Sequence, residues 1–176
     1  MRKDKREHLW EIEAESYSLL YGLIRSLGSK KIVETGTFTG KATLSMAKAL
    51  RENGSGFIWS IDREDFDAQS KVDANGLSKF VEIIIGETPK ALEIIMRSKK
   101  NDFVFLDNGH DYEIVAAELE IVHTYLIQGG YVMGHDYAPD HAGVFRAVNE
   151  FIKKHKDAYE TITLTNDKGM FLMRKL

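Results

Sequence analysis

The chain reads as an α/β protein: one open, mostly parallel sheet of seven strands, helices on both faces, and a C-terminal antiparallel hairpin. Three observations predict it. Apolar strand-like runs alternate with helix-period runs through most of the chain, which implies parallel strands joined by crossover helices. The last two strand-like runs, Glu160–Leu164 and Met170–Arg174, are separated only by a turn built on Asn166-Asp167-Lys168-Gly169, so they form a hairpin. The length of 176 residues, with two prolines and no low-complexity linker, fits a single domain with a sizeable core.

The elements follow in order. Leu9, Ile12, Tyr17, Leu20 and Ile24 recur at helical spacing and predict an amphipathic lead-in helix that stops near Gly28. This divides the chain into a lead-in, residues 1–30, and a ligand-binding domain, residues 31–176. Ile32–Glu34 is the first strand, followed by a helix through Leu50. Phe57–Ile61 is the second, followed by a less regular helical stretch through Asn75. Phe80–Ile85 precedes a helix through Arg97, and Phe103–Leu106 a long helix through Ile127 that Gly129-Gly130 stops. Tyr131–Met133 is the fifth strand, with a helix from about Gly143 to His155.

Composition excludes several classes. A net charge of −3 offers no basic face for nucleic acid. The start, Arg2-Lys3-Asp4-Lys5-Arg6, is short and mixed in sign, and reads as a solvated tail. Glu7, Glu11, Glu13 and Glu15 interrupt any signal-peptide core, and no apolar run approaches the roughly 18 to 20 residues of a membrane span. There is no cysteine, so thiolate metal sites and cysteine nucleophiles are excluded. The expectation is an intracellular, cytoplasmic protein.

The densest signal is Ile32-Val33-Glu34-Thr35-Gly36-Thr37-Phe38-Thr39-Gly40-Lys41, a buried strand running into a tight turn and a helix N-terminus. A P-loop needs four residues between its glycines and a hydroxyl after the lysine; here there are three, and Ala42 follows Lys41. A dinucleotide fingerprint needs a second glycine two residues after the first, where Phe38 stands. The remaining pattern, E-x-G-x-x-x-G, suits a nucleoside without phosphates. Glu34, Gly36, Thr37, Phe38 and Gly40 are its expected contacts. Asp62, ending the second strand, is placed to accept ribose hydroxyls.

Open parallel sheets bind ligands beyond the carboxyl ends of their strands. Those ends carry Glu34, Asp62, Gly86-Glu87, Asp107-Asn108-Gly109-His110 and His135-Asp136. So many acids on one rim are costly unless a cation or a hydroxyl-rich ligand meets them. Asp107 and Asp136 would converge on a divalent cation, magnesium if waters complete the set, manganese or iron if His135 is a third ligand. Neighbouring strand residues point to opposite faces, so His135 and Asp136 act together only if the strand has ended. His110 is placed to accept a proton beside that cation.

Val33–Gly40 resembles the first motif of class I S-adenosylmethionine-dependent methyltransferases, and Asp62 matches their ribose-binding acid. Phe105-Leu106-Asp107-Asn108-Gly109-His110-Asp111-Tyr112-Glu113 resembles the metal-and-base loop of a metal-dependent O-methyltransferase branch. So do Gly129–Asp136 and Gly143–Val148. That branch includes macrolide-sugar and cephalosporin-hydroxylase-type enzymes, and the likeness runs from Ile32 to Leu176. It implies a Rossmann-like methyltransferase domain and S-adenosylmethionine bound by the glycine turn, Asp62, Glu87 and Asp107. It further implies a cation on Asp107, His135 and Asp136, His110 as base, and a small-molecule hydroxyl acceptor, sugar or phenol. Relatives often carry Glu-Asp or Asp-Asn where this chain has His135-Asp136. The short lead-in leaves the site open or completed by a second copy, a homo-oligomer. Two rival readings are a metal-dependent hydrolase built on His110, Asp111, His135 and Asp136, and a non-catalytic cofactor-binding module.

Overall fold

A computed structural model describes residues 13–176; Leu9, Ile12 and the basic start lie outside the described residues. The chain runs α1 (Ala14–Leu27), β1 (Lys31–Thr35), α2 (Lys41–Asn53), β2 (Phe57–Asp62), α3 (Ala68–Ala74), β3 (Val81–Ile85) and α4 (Lys90–Ser98). It continues with β4 (Phe103–Leu106), α5 (Tyr112–Tyr125), β5 (Tyr131–His135), α6 (Ala142–Lys154), β6 (Tyr159–Leu164) and β7 (Met170–Lys175). All seven strands join one sheet in the order β3-β2-β1-β4-β5-β7-β6. The first five are parallel; β7 pairs antiparallel with both β5 and β6.

Strand alternation sorts the core into two layers. Ile32, Ile58, Phe103, Phe105 and Met133 face one side, where Leu20 and Ile24 of α1, Met46 and Leu50 of α2 and Val72 of α3 cover them. Val33, Ile61, Val104 and Val132 face the other, covered by Leu92 and Met96 of α4, Leu119 and Val122 of α5 and Val148 and Phe151 of α6. The lead-in helix therefore shares the domain's own core. It ends as expected, at Gly28 in the left-handed conformation, a place glycine fills without steric cost.

The differences from expectation are local. Helix α5 stops at Tyr125 because Leu126 turns extended, with ψ 135°. The region after β2 forms only the two-turn α3, preceded by the loop 63–67. Strand β5 runs on to His135, and at Gly134 the ring of Phe171 fills the space a side chain would take. Strand β7 inserts between β5 and β6, an order the hairpin signal alone does not specify. Among the described residues no helix is long and apolar enough to cross a membrane.

Chain order reverses between β1 and β4, which are neighbours although β2 and β3 intervene in sequence. Their carboxyl ends open the crevice in which doubly wound sheets bind ligands.

Candidate active site

The turn after β1 is fixed from three directions. Gly36 has φ +89°, and a Cβ there would sit 1.9 Å from the carbonyl oxygen of Asp107, so only glycine lets the β1 and β4 loops touch. Phe38 is left-handed, φ +44°, and its N–H donates to Asp62 Oδ2 at 2.7 Å. The N–H of Glu64 donates to Asp62 Oδ1 at 3.1 Å. Asp62 thus braces the turn and does not cap α3, whose first residue is Ala68. The Phe38 ring meets Phe66 edge-on at 4.9 Å.

Glu34, Thr37 and Gly40 stand beneath this turn, not on the cleft wall. Thr43 Oγ1 and Ser60 Oγ donate to Glu34 Oε2 at 2.5 and 2.6 Å, and Thr37 Oγ1 lies 2.5 Å from Ser60 Oγ. Burial raises the Glu34 carboxyl to about 7, against the pull of the two hydroxyls. Gly40, φ +79°, is the residue just before α2.

The crevice holds a cleft of about 480 Å³. Gly36, Phe38, Asp62 and Glu87 line it at one end; Asp107, His110, His135 and Asp136 line it at the other, with Asp111 beside His110. The remaining sequence-derived candidates, from both halves of the sheet, therefore share one cavity. Asn108, also on the wall, donates to Thr88 and, at 3.4 Å, to Glu118 Oε1. Glu118 is buried in α5, and burial raises it to about 7.

At the far end Asp136 is the hub. Its φ of +59° breaks strand alternation just after β5, so His135 and Asp136 turn toward each other. His135 Nδ1 faces Asp136 Oδ1 at 3.3 Å and Asp107 Oδ1 at 3.6 Å. Asp136 Oδ2 lies 2.7 Å from His110 Nε2, and Oδ1 lies 3.2 Å from His141 Nε2. Burial works to raise Asp136, but His110 and His135 hold its carboxyl well below the usual carboxylate range. Burial pushes Asp107 well above that range, His135 pulls it back, and Asp136 and Glu34 add to the rise. Burial would lower His135; contact with Asp136, the charge of Asp107 and a bond to Glu13 outweigh it and lift the imidazole to about 9.

One ligand atom from each of Asp107, His135 and Asp136 falls within 4.8 Å of the others. Buried His135 Nδ1 and Asp136 Oδ1 have no well-formed hydrogen bond. Unsatisfied, convergent donors of this kind fit a divalent cation.

Three participants were not assigned a role from sequence. Glu13 accepts from His135 Nε2 at 2.9 Å across 122 residues, and nothing in the lead-in marks it among its neighbouring acids. His141, in the loop between β5 and α6, reaches Asp136 Oδ1. Lys168 lines the cleft from the β6–β7 turn, which Gly169 presses against the backbone of Tyr137, where a Cβ would lie 2.2 Å from its carbonyl oxygen.

The seven-stranded sheet and the crevice at its switch point have the class I methyltransferase architecture. A family model described as a methyltransferase domain matches residues 33–137. The chain belongs to that family and is a class I S-adenosylmethionine-dependent methyltransferase. It is 25% identical to caffeoyl-CoA O-methyltransferase 1 of Zea mays over 97% of this chain and 68% of that one. The fold is shared with an O-methyltransferase from Bacillus cereus solved in complex with SAH, with TM-score 0.82 and 17% identity, covering 100% of this chain and 93% of that one. It is also shared with the O-methyltransferase TomG from Streptomyces achromogenes, solved with SAM, with TM-score 0.78 and 20% identity, covering 99% and 91%.

Proposed function

We propose that the protein transfers the methyl group of S-adenosylmethionine to a hydroxyl of a small molecule, a sugar or a phenol, with the help of a divalent cation. The observation that carries this reading is the shared cleft. Its walls join the glycine turn and Asp62 to the convergent Asp107, His135 and Asp136, with His110 also on the wall. The name of the maize relative, an O-methyltransferase, supports the same direction.

Asp62 would accept the ribose hydroxyls with the lone pairs its backbone bonds leave free, and Phe38, Gly36 and Glu87 would wall the cofactor. Glu34 and Thr37 support the turn from beneath. Asp107, His135 and Asp136 would hold the cation. Bound there, S-adenosylmethionine supplies an activated methyl group and the cation lowers the pKa of the acceptor hydroxyl. His110 is 38% exposed and reaches both the cleft and Asp136. With Nε2–H donated to Asp136, its Nδ1 holds the lone pair that takes the acceptor's proton. Asp136 then stabilises the imidazolium that forms. The remaining contribution of the protein is alignment of acceptor and methyl.

The test is transfer of label from S-adenosylmethionine to panels of sugars and phenols, with and without chelator. Chelator-sensitive labelling of a hydroxyl is expected. Labelling indifferent to chelator would remove the cation from the reading, and cofactor-independent hydrolysis would replace it.

A further inference from the structure

The imidazole of His135 is 1% exposed, and a carboxylate stands at each of its nitrogens. Nε2 lies 2.9 Å from Glu13 Oε2, while Nδ1 faces Asp136 and Asp107. Glu13 is itself held in place. Ser16 Oγ donates to Glu13 Oε2 at 3.1 Å, and Asn166 of the β6–β7 turn donates to Ser16 Oγ at 3.2 Å. The first backbone bonds of α1, from Ser16 and Tyr17, end on the Glu13 carbonyl. The second carboxylate oxygen of Glu13 is buried without a partner. Among the described residues no other carboxylate is hydrogen-bonded to Nε2.

We propose that Glu13 is the positioning residue that makes His135 a metal ligand through Nδ1, and that the site thereby favours an imidazole-preferring ion of the zinc or iron class over magnesium or calcium. The inference rests on the cation reading above. A carboxylate on the outer nitrogen fixes the tautomer, orients the ring and raises its basicity toward a metal. Magnesium and calcium favour oxygen donors, whereas zinc and iron accept imidazole readily. Glu13 lies outside the residues 33–137 that match the family model, so this support comes from the lead-in helix.

The experiment titrates zinc, and separately magnesium, into metal-free full-length protein by calorimetry. Nitrogen-15 spectra follow the ring nitrogens of His135, assigned with His135→Gln. The wild type is expected to bind zinc more tightly than magnesium, with Nδ1 coordinated and Nε2 protonated. Glu13→Ala should weaken zinc binding by about 10- to 100-fold, a typical outer-shell effect, and Glu13→Gln, which retains an acceptor, by less. Affinity for S-adenosylhomocysteine, unchanged in both, reports an intact fold. Equal zinc affinity and unaltered His135 signals in both variants would overturn the role of Glu13. A wild type that prefers magnesium would overturn the ion class while leaving the cation reading in place. A wild type that binds neither ion would overturn both.

Discussion

His110 Nε2 and Asp136 Oδ2 lie 2.7 Å apart although 26 residues separate them in the chain. One carboxylate therefore orients the proposed base with one oxygen and faces the proposed cation with the other. The two functions are coupled through a single side chain.

His110→Ala should lower turnover by about 10² to 10⁴, the usual range for loss of a general base, with cofactor affinity unchanged. The loss should shrink for acidic phenols, whose oxygen needs less help to release its proton. Stopped assays on a phenol and a sugar, beside calorimetry with S-adenosylhomocysteine, measure both. A near-normal rate on every acceptor would show that the proton leaves by another route.

Asp136→Asn should remove cation-dependent turnover and leave cofactor binding in place. Excess metal should not restore it, because His110 has also lost its charged partner. His135→Ala keeps that partner, so raising the metal concentration should recover part of its rate. Identical responses of the two variants to added metal would contradict the division of labour.

Asp62→Ala removes the acceptor for both the Phe38 and Glu64 amides as well as the proposed ribose contact. Hydrogen bonds to a charged group are worth about 1.5 to 3 kcal/mol, so S-adenosylmethionine affinity should fall roughly tenfold to a hundredfold or more. Unchanged affinity in calorimetry would leave Asp62 as a brace of the turn alone.

Glu34 sets a pH dependence of stability. Its folded pKa, about 7 against an ordinary 4.5, means the native state binds the proton more tightly than the unfolded chain. Its stabilising contribution is complete below pH 4.5 and is lost as pH rises through 7. That span corresponds to about 3 kcal/mol. Glu34→Gln should therefore gain stability relative to wild type on going from pH 4.5 to 7.5. Urea unfolding across that range decides it; parallel curves for the two proteins would refute the assignment.

Much of this was legible in the sequence, for reasons that can be traced to particular residues. The run Phe103–Leu106 is apolar at every position and buried at every position, so its bounds were unambiguous. Gly36 was readable as part of a tight turn, and Asp62 and Asp107 as strand-end acids facing one crevice. His135 and Asp136 could be named but not oriented, since their convergence depends on a left-handed residue that sequence does not announce. Glu34 and Thr37 looked like ligand contacts because the motif places them beside the turn; side-chain direction sends them inward to Ser60 and Thr43 instead. Glu13 was invisible because its meaning comes from a partner 122 residues away. The position of β7 between β5 and β6 is likewise a long-range choice, written in no local pattern.

The pairing of Leu106 with Gly134 has one further consequence. It makes Asp107 and His135 the next residues along two hydrogen-bonded neighbours, so the opening between them is inherited from strand spacing, about 4.8 Å in any sheet. On the proposed reading, the spacing of the cation's ligands is set by the sheet, and its preference by the side chains at 107, 135 and 136 together with Glu13 behind them.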